Sequence, residues 1–433
     1  MVKAIQGLTG RALRSRNYRL FFGGQSISLI GTWMTRLATS WLVYRLTDSA
    51  LLLGIVGFAG QIPSLFLAPI AGVWVDRWNR HRTLVTMQIL SMIQSFALAA
   101  LALSGHINIL AVILLAFLQG VINTLETPAR QSFVIEMIED RADLSNAIAL
   151  NSSIVNGGRL VGPAIAGAVI AKVGEGYCFL IDGFSYIAVI ASLLAMHVRP
   201  AVPRKEQKHA WLELKEGWSY VITSPAIRWI LLMLGLVSFV GFPYTVLLPI
   251  MAGHVLHGGP NTLGLLTAAT GVGALAAAVG LAMRSTVVGL GKWIGLASTI
   301  LGLALILFGL SHVFLISMAL MVLSGFGMMQ QIATSNTILQ TIVADDKRGR
   351  VMAFYTMAVF GLTPIGSLLA GSSAERVGAP ATLIGAGVLC GFGGLFYRRK
   401  LPEIRHAIRP VYAQLGIIAS QEPSPALPTP PEN

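Results

Sequence analysis

Apolar runs recur along almost the whole chain, separated by short polar bridges that hold most of its Lys and Arg. Each run has the roughly 18 or more residues that a helix needs to cross a hydrocarbon core of about 30 Å. The pattern predicts twelve spans, at about 18–44, 50–74, 83–103, 107–128, 143–171, 175–197, 227–252, 260–284, 289–310, 312–336, 348–372 and 377–398. Only the bridge after the sixth span is long. Within it, HAWLELKEGWSYVI repeats Trp211, Leu214, Trp218 and Val221 at helical spacing, which predicts an amphipathic helix lying on the membrane surface. The last thirty or so residues turn polar and Pro-rich, which predicts a disordered end.

Composition narrows the class. Of 433 residues 55% are hydrophobic and 11% charged, against about 25% charged in a soluble domain. The reading is an all-α polytopic membrane protein. It divides into an N-terminal six-helix bundle (1–197), a cytoplasmic linker (198–226), a C-terminal six-helix bundle (227–400) and a cytoplasmic tail (401–433).

The net charge of +13 looks like a nucleic-acid signal until the basic residues are placed. With the N-terminus inside, 26 of the 31 Lys and Arg fall on cytoplasmic segments, and three (Arg45, Lys172 and Arg376) fall outside. Such a split follows the positive-inside rule, so the charge faces anionic lipid and no nucleic acid is expected. This puts both termini in the cytoplasm. No cleavable signal peptide is expected in the basic first nineteen residues. The two cysteines and the scattered histidines fit no metal spacing, and GVGAL at 271–275 lacks the Lys of a phosphate loop. Neither a catalytic site nor a cofactor is expected.

The halves echo one another. GPAIAGAVIAKVG from Gly162 aligns with GSLLAGSSAERVG from Gly366, so that Gly162 matches Gly366, Gly167 matches Gly371, and Val173-Gly174 match Val377-Gly378. Two bundles facing each other across a central site is the arrangement such a parallel repeat predicts.

Two cations, Arg36 and Arg159, remain inside spans, where lipid exposure would cost about 2.5–3.5 kcal/mol each. They should face a partner or water. Arg36 continues a polar stripe of Gln25, Ser28 and Thr32. The fourth span offers Gln119, Asn123 and Glu126, and the tenth Gln330 and Thr334. Each stripe could equally serve hydrogen bonds between helices. Glu126 and Asp182 are the candidate proton carriers. Glu126 could instead pair with Arg130, and Asp182 with Arg36.

The bridge GVWVDRWNRHRTL is the most specific motif. Gly72, Asp76, Arg77, Arg80, Arg82 and Leu84 fill a pattern that resembles the cytoplasmic gate signature of the major facilitator superfamily, with Asn79 where that pattern has Gly. Asn tolerates the left-handed turn a Gly would make. NYRLFFGGQSISLIGTWMTRLATSWLVYRLTDSALLLGIVGFAGQIPS and TPARQSFVIEMI resemble bacterial exporters of the enterobactin-exporter type, the transmembrane secretion effectors. Gly158, Gly162, Pro163 and Gly167 resemble the helix-five Gly-Pro motif of superfamily exporters. One departure is Ala116, which stands where many proton-driven members carry Arg before a Gln-Gly pair.

The resemblance implies the two-bundle major facilitator fold, with the first, fourth, seventh and tenth spans lining the cavity. It also implies a secondary transporter of the bacterial inner membrane, exporting a siderophore or amphipathic drug by alternating access against inward proton flow. The partners would be lipid, a small-molecule substrate and protons, and the chain would act as a monomer. Solute uptake or facilitated diffusion on the same fold is the alternative. A non-transporting membrane sensor or scaffold is the alternative of another class.

Overall fold

A bilayer core offers no water to backbone N–H and C=O groups, so a spanning segment has to pair them internally, as a helix does. The computed structural model describes residues 10–197, 210–284 and 286–418, and among these it contains helices and no strands. Side chains at 68–70, 72, 73, 75–77, 141 and 210–216 lie outside the description. The N-terminal half comprises α1 (Arg16–Thr47), α2 (Ala50–Ala59), α3 (Ile62–Arg77), α4 (Arg80–Leu103), α5 (Ile109–Glu136), α6 (Leu144–Val173) and α7 (Glu175–Leu194). A connecting helix, α8 (Ala210–Thr223), leads to α9 (Pro225–Leu236), α10 (Tyr244–Ile250), α11 (Pro260–Ala282), α12 (Leu290–Leu310), α13 (Phe314–Ile342), α14 (Asp345–Thr356), α15 (Leu362–Val377) and α16 (Ala379–Gln414).

Eleven segments among the described residues are long and apolar enough to cross a membrane. The twelfth expected span is α1. At 32 residues it is as long as the others, but Gln25, Ser28, Thr32, Thr35 and Arg36 dilute its apolarity. Large apolar side chains cover the outside of the molecule, with Leu315 at 70% and Phe392 at 68% exposure, as lipid contact requires.

Helices α1 to α7 pack among themselves, as do α9 to α16. Two seams join the halves, α6 against α11 and α2 against α15. Glycine makes both seams possible. A methyl on Gly167 would come within 2.8 Å of the Pro260 carbonyl, and one on Gly264 within 2.6 Å of the Pro163 carbonyl. In the other seam, Gly54 would meet the Ser367 carbonyl at 2.7 Å and Gly371 the Ala50 carbonyl at 2.5 Å. Such distances are far inside van der Waals contact, so the backbones approach only because the side chains are missing.

The echo between the halves has a structural counterpart. Gly174 and Gly378 both adopt positive φ, 91° and 86°, and each ends one helix while the next starts at once. Gly162 and Gly366 each receive the first span of their own half. Gly162 lies against Trp33 of α1, and Gly366 against the Phe239 carbonyl between α9 and α10. That carbonyl is displaced for a reason: Pro243 has no N–H to offer the group four residues back. The helix responds with the π-turn Val237–Gly241. Pro163 similarly leaves the Arg159 carbonyl without its usual donor, and Gly271 of α11 lies against it.

Several expected boundaries shift. The second span breaks at Gly60, dividing α2 from α3, and the eleventh bends through the π-turn Met357–Gly361. Helix α16 runs on to Gln414, well past the expected end at 398, and residues 419–433 of the tail lie outside the described residues. The amphipathic helix forms as α8. Its Gly217 and Trp218 pack on Phe354 of α14, and Lys347 lies over the Tyr220 ring at 4.6 Å, so the helix docks on protein. The side chains of Trp211 and Leu214 are outside the described residues.

Candidate functional site

Arg36 sits about half a turn round α1 from the lipid-facing Ile27, given roughly 100° per residue. As a residue Arg36 is solvent-accessible, yet its guanidinium lies within electrostatic range of Asp182, Tyr186, Arg159 and Arg130, which come from three other helices of its bundle. A side chain both accessible and surrounded by protein faces an internal water-accessible space. Arg36 lies over the Trp33 ring at 4.8 Å, and Arg159 of α6 approaches the same ring at 5.8 Å. Gly158 and Gly162 make this stack possible, because a methyl on either would run into Trp33, at 3.1 and 2.6 Å. Arg159 then reaches the other half, where its Nη2 lies 3.8 Å from Sδ of Met328 on α13 and its charge is felt by Tyr244 of α10.

Among the described residues neither arginine has a carboxylate within 4.0 Å. The expected Arg36–Asp182 ion pair does not form at that distance. Thr35, one residue earlier and about 100° round the helix, points at Asp182 instead. The Asp182 carboxylate is 1% exposed. Its Oδ2 accepts hydrogen bonds from Thr35 Oγ1 and Ser95 Oγ, both at 2.8 Å, and its Oδ1 accepts a longer one from Ser185 Oγ at 3.5 Å. Gly31 lets α1 close down here, since a methyl would lie 2.7 Å from Asp182 Oδ1.

A run of polar contacts leads away from Asp182. Tyr186, one turn along α7, has its hydroxyl 3.4 Å from Thr32 Oγ1 and lies near Ser91. Ser91 accepts from Gln119 Nε2 at 3.2 Å, and Gln119 also donates to Asn123 Oδ1 at 3.0 Å. Glu126 follows on the same face of α5. It pairs with Arg130 at 3.8 Å, the local partner one turn on.

The remaining sequence-derived positions divide. Gln25 and Ser28 are buried between helices, and the Gln25 carbonyl oxygen has no hydrogen-bond partner among the described residues. Gln330 and Thr334 are buried and bond to each other at 3.0 Å. The side chains of Gly72, Asp76 and Arg77 lie outside the described residues. Arg80 pairs with Glu136 within its own half, and Arg82 is exposed. Asn79 does not take the left-handed turn expected of it. Its φ is −69°, and its side chain caps α4 by accepting from the Arg82 N–H at 3.0 Å. With a cap available, extended backbone is the lower-energy solution.

Reasoning from sequence missed Trp33, Ser91, Ser95 and Tyr186, whereas Tyr244 is among the few polar residues the seventh span offers. Trp33 was three residues from Arg36, and Tyr186 four from Asp182. The third span carries Gln88, Ser91 and Ser95 at helical spacing, a polar stripe as clear as that of the fourth.

At one end of the molecule the halves are tied together. Ser49 Oγ and the Leu51 N–H, at the start of α2, both donate to Glu375 Oε2 of α15 at 3.0 Å. Asp48 and His254 meet at 2.9 Å, and the Tyr44 ring packs edge-on against His254. A cleft of about 750 Å³ lined by Trp41, Arg45, Glu175 and Asn261 opens at this same end.

Residues 10–414 match the family model described as transmembrane secretion effector, and the chain belongs to that family of the major facilitator superfamily. It is 27% identical over 400 residues to the staphyloferrin A transporter of Staphylococcus aureus, covering 90% of this chain and 99% of that one. It is also 27% identical to the multidrug efflux pump Tap of Mycolicibacterium fortuitum, over 82% of this chain and 88% of the pump. Macrolide efflux protein A of Streptococcus pyogenes is 22% identical, over 86% of this chain and 94% of that protein. Among solved structures, a peptide transporter in complex with sulfate superposes with TM-score 0.74 at 12% identity, covering 91% of this chain and 96% of that one. An inward-facing bacterial homologue of the human lysosomal transporter Spinster superposes with TM-score 0.65 at 14% identity, covering 95% of this chain and all of the other. The protein is thus a multi-pass membrane transporter with the major facilitator fold, and not an enzyme.

Proposed function

We propose that this member of the transmembrane secretion effector family exports a small organic molecule across the bacterial inner membrane in exchange for protons. It would act as a monomer with both termini in the cytoplasm. The polar and charged cluster inside the N-terminal half carries this reading. Five ionisable side chains, Arg36, Glu126, Arg130, Arg159 and Asp182, gather there on four packed helices, and Arg36, Arg159 and Asp182 lie at depths where lipid would penalise each of them. Such groups mark substrate and proton routes. Under the positive-inside orientation, the end tied by Glu375 and by Asp48–His254 faces outward. On this reading, alternating access requires those ties to break as the halves rock.

Asp182 is the better candidate proton carrier. Glu126 has Arg130 as a local counter-ion, whereas Asp182 is held by hydroxyl groups that can serve either protonation state. The relatives named for siderophore transport and for drug or macrolide efflux support export of an organic solute. Inside-out vesicles with an imposed pH gradient test the direction. Uphill accumulation of substrate in the vesicle lumen, collapsing when the gradient is dissipated, is the expected result. Movement in the opposite sense would make the protein an uptake system.

A further inference from the structure

From the Arg36–Trp33–Arg159 stack we infer a binding site for the carboxylate of a small organic anion with an apolar body. The inference rests on the transport reading and adds the charge class of the substrate. Two guanidiniums from different helices converge on one indole, and neither has a carboxylate within 4.0 Å among the described residues. The two acids nearby are already engaged, Asp182 by three hydroxyls and Glu126 by Arg130. Three guanidiniums against two carboxylates leave an excess of positive charge inside the bundle. Like charges held together there repel, and a bound anion relieves that repulsion. The guanidinium fork matches a carboxylate edge with two parallel N–H···O bonds.

The other half provides what the rest of such a molecule needs. Met328 Sδ lies 3.8 Å from Arg159 and offers a pliable apolar contact. Tyr244 is 1% exposed, and its hydroxyl lies beside Thr270 and within electrostatic range of Arg159. A carboxylate between Arg36 and Arg159 would offer that hydroxyl a charged acceptor and draw α10 and α13 toward α1 and α6. A cationic solute would instead meet two unpaired positive charges. The site therefore selects against the amphipathic cations that many drug pumps must accept.

The test uses full-length protein in detergent and three probes with one ring system: naphthoate, naphthylmethanol and naphthylmethylammonium. Calorimetric titration should find naphthoate bound at least about tenfold more tightly than the alcohol, and the ammonium most weakly. Arg36→Gln and Arg159→Gln should each weaken naphthoate by about tenfold while leaving the alcohol unchanged, and Arg36→Lys should recover part of the loss. Equal or tighter binding of the ammonium in the unmodified protein overturns the proposal, and this comparison stands even if neither Gln variant folds. Unchanged naphthoate affinity in both folded Gln variants overturns it too. Naphthoate binding as expected without any solute flux in vesicles would defeat the transport reading and leave this site standing. Gradient-driven flux of the ammonium without naphthoate binding would do the reverse.

Discussion

The two halves of the molecule share a glycine skeleton and differ in the chemistry mounted on it. Gly162, Gly167 and Gly174 occupy the same places in the N-terminal half as Gly366, Gly371 and Gly378 in the C-terminal half, and they do the same mechanical work. Yet the five charges of that cluster all belong to the first half. Among the described residues the second half buries Ser238, Gln331 and Ser335, uncharged and each with a polar atom lacking a hydrogen-bond partner. A duplicated scaffold needs its backbone approaches in both copies, because the halves must pack and rock alike. It needs only one set of charges, because burying ions is expensive and a single copy suffices to carry a proton and recognise a ligand.

The strongest way to break this comparison is Asp182→Asn, which keeps the shape and removes the titrating group. Flux driven by a pH gradient in proteoliposomes should fall by about a hundredfold or more, the scale of losing a positioned acid–base group. Exchange of labelled for unlabelled substrate at equal pH should persist. Unimpaired gradient-driven flux would show that the charge asymmetry is structural. Next comes Gln331→Glu, which imposes a charge on the second half at a side chain that is 0% exposed. An unpaired buried ion costs several kcal/mol, so thermal unfolding should shift sharply downward at neutral pH. Gln331→Met, which deletes two unpartnered polar atoms, should be close to neutral in the same melt.

Gly162→Ala should cost roughly 1–3 kcal/mol by overpacking against Trp33. It should also displace Arg36 and Arg159, so naphthoate affinity should fall along with the melting temperature. A small effect on stability belongs to Tyr244→Phe, about 1 kcal/mol, the net worth of one neutral hydrogen bond, here with Thr270. A weaker affinity for the carboxylate probe at a nearly unchanged melting temperature would assign that hydroxyl to the ligand.

Most of the architecture could be read from the chain, because a membrane span is an unusually explicit pattern. The helical class, the connecting helix and the pairing of Gly162 with Gly366 all follow from spacing, and eleven of the twelve expected runs are long and apolar enough to span among the described residues. Breaks inside spans were harder to see. Pro243 was visible, but whether a proline kinks, ends or inserts a π-turn depends on who receives the freed carbonyl, and Gly366 is 123 positions further on. Arg36 and Arg159 stand out on the energetics of charge in lipid. Their meeting on Trp33 was not visible, since it is set by how α6 crosses α1. The Arg36–Asp182 pairing failed on a one-residue question of helical phase. Attention to the first, fourth, seventh and tenth spans also hid the third, whose Ser95 is one of the groups that holds Asp182.

The bare backbone contacts at Gly54–Gly371 and Gly167–Gly264 have a practical consequence. A single bulky residue there would act as a doorstop: the protein could still be made and inserted, but it would be held away from the arrangement described here. Leu at position 371, paired with a cysteine-free background, would supply a population enriched in the opposite state, suited to raising conformation-selective binders.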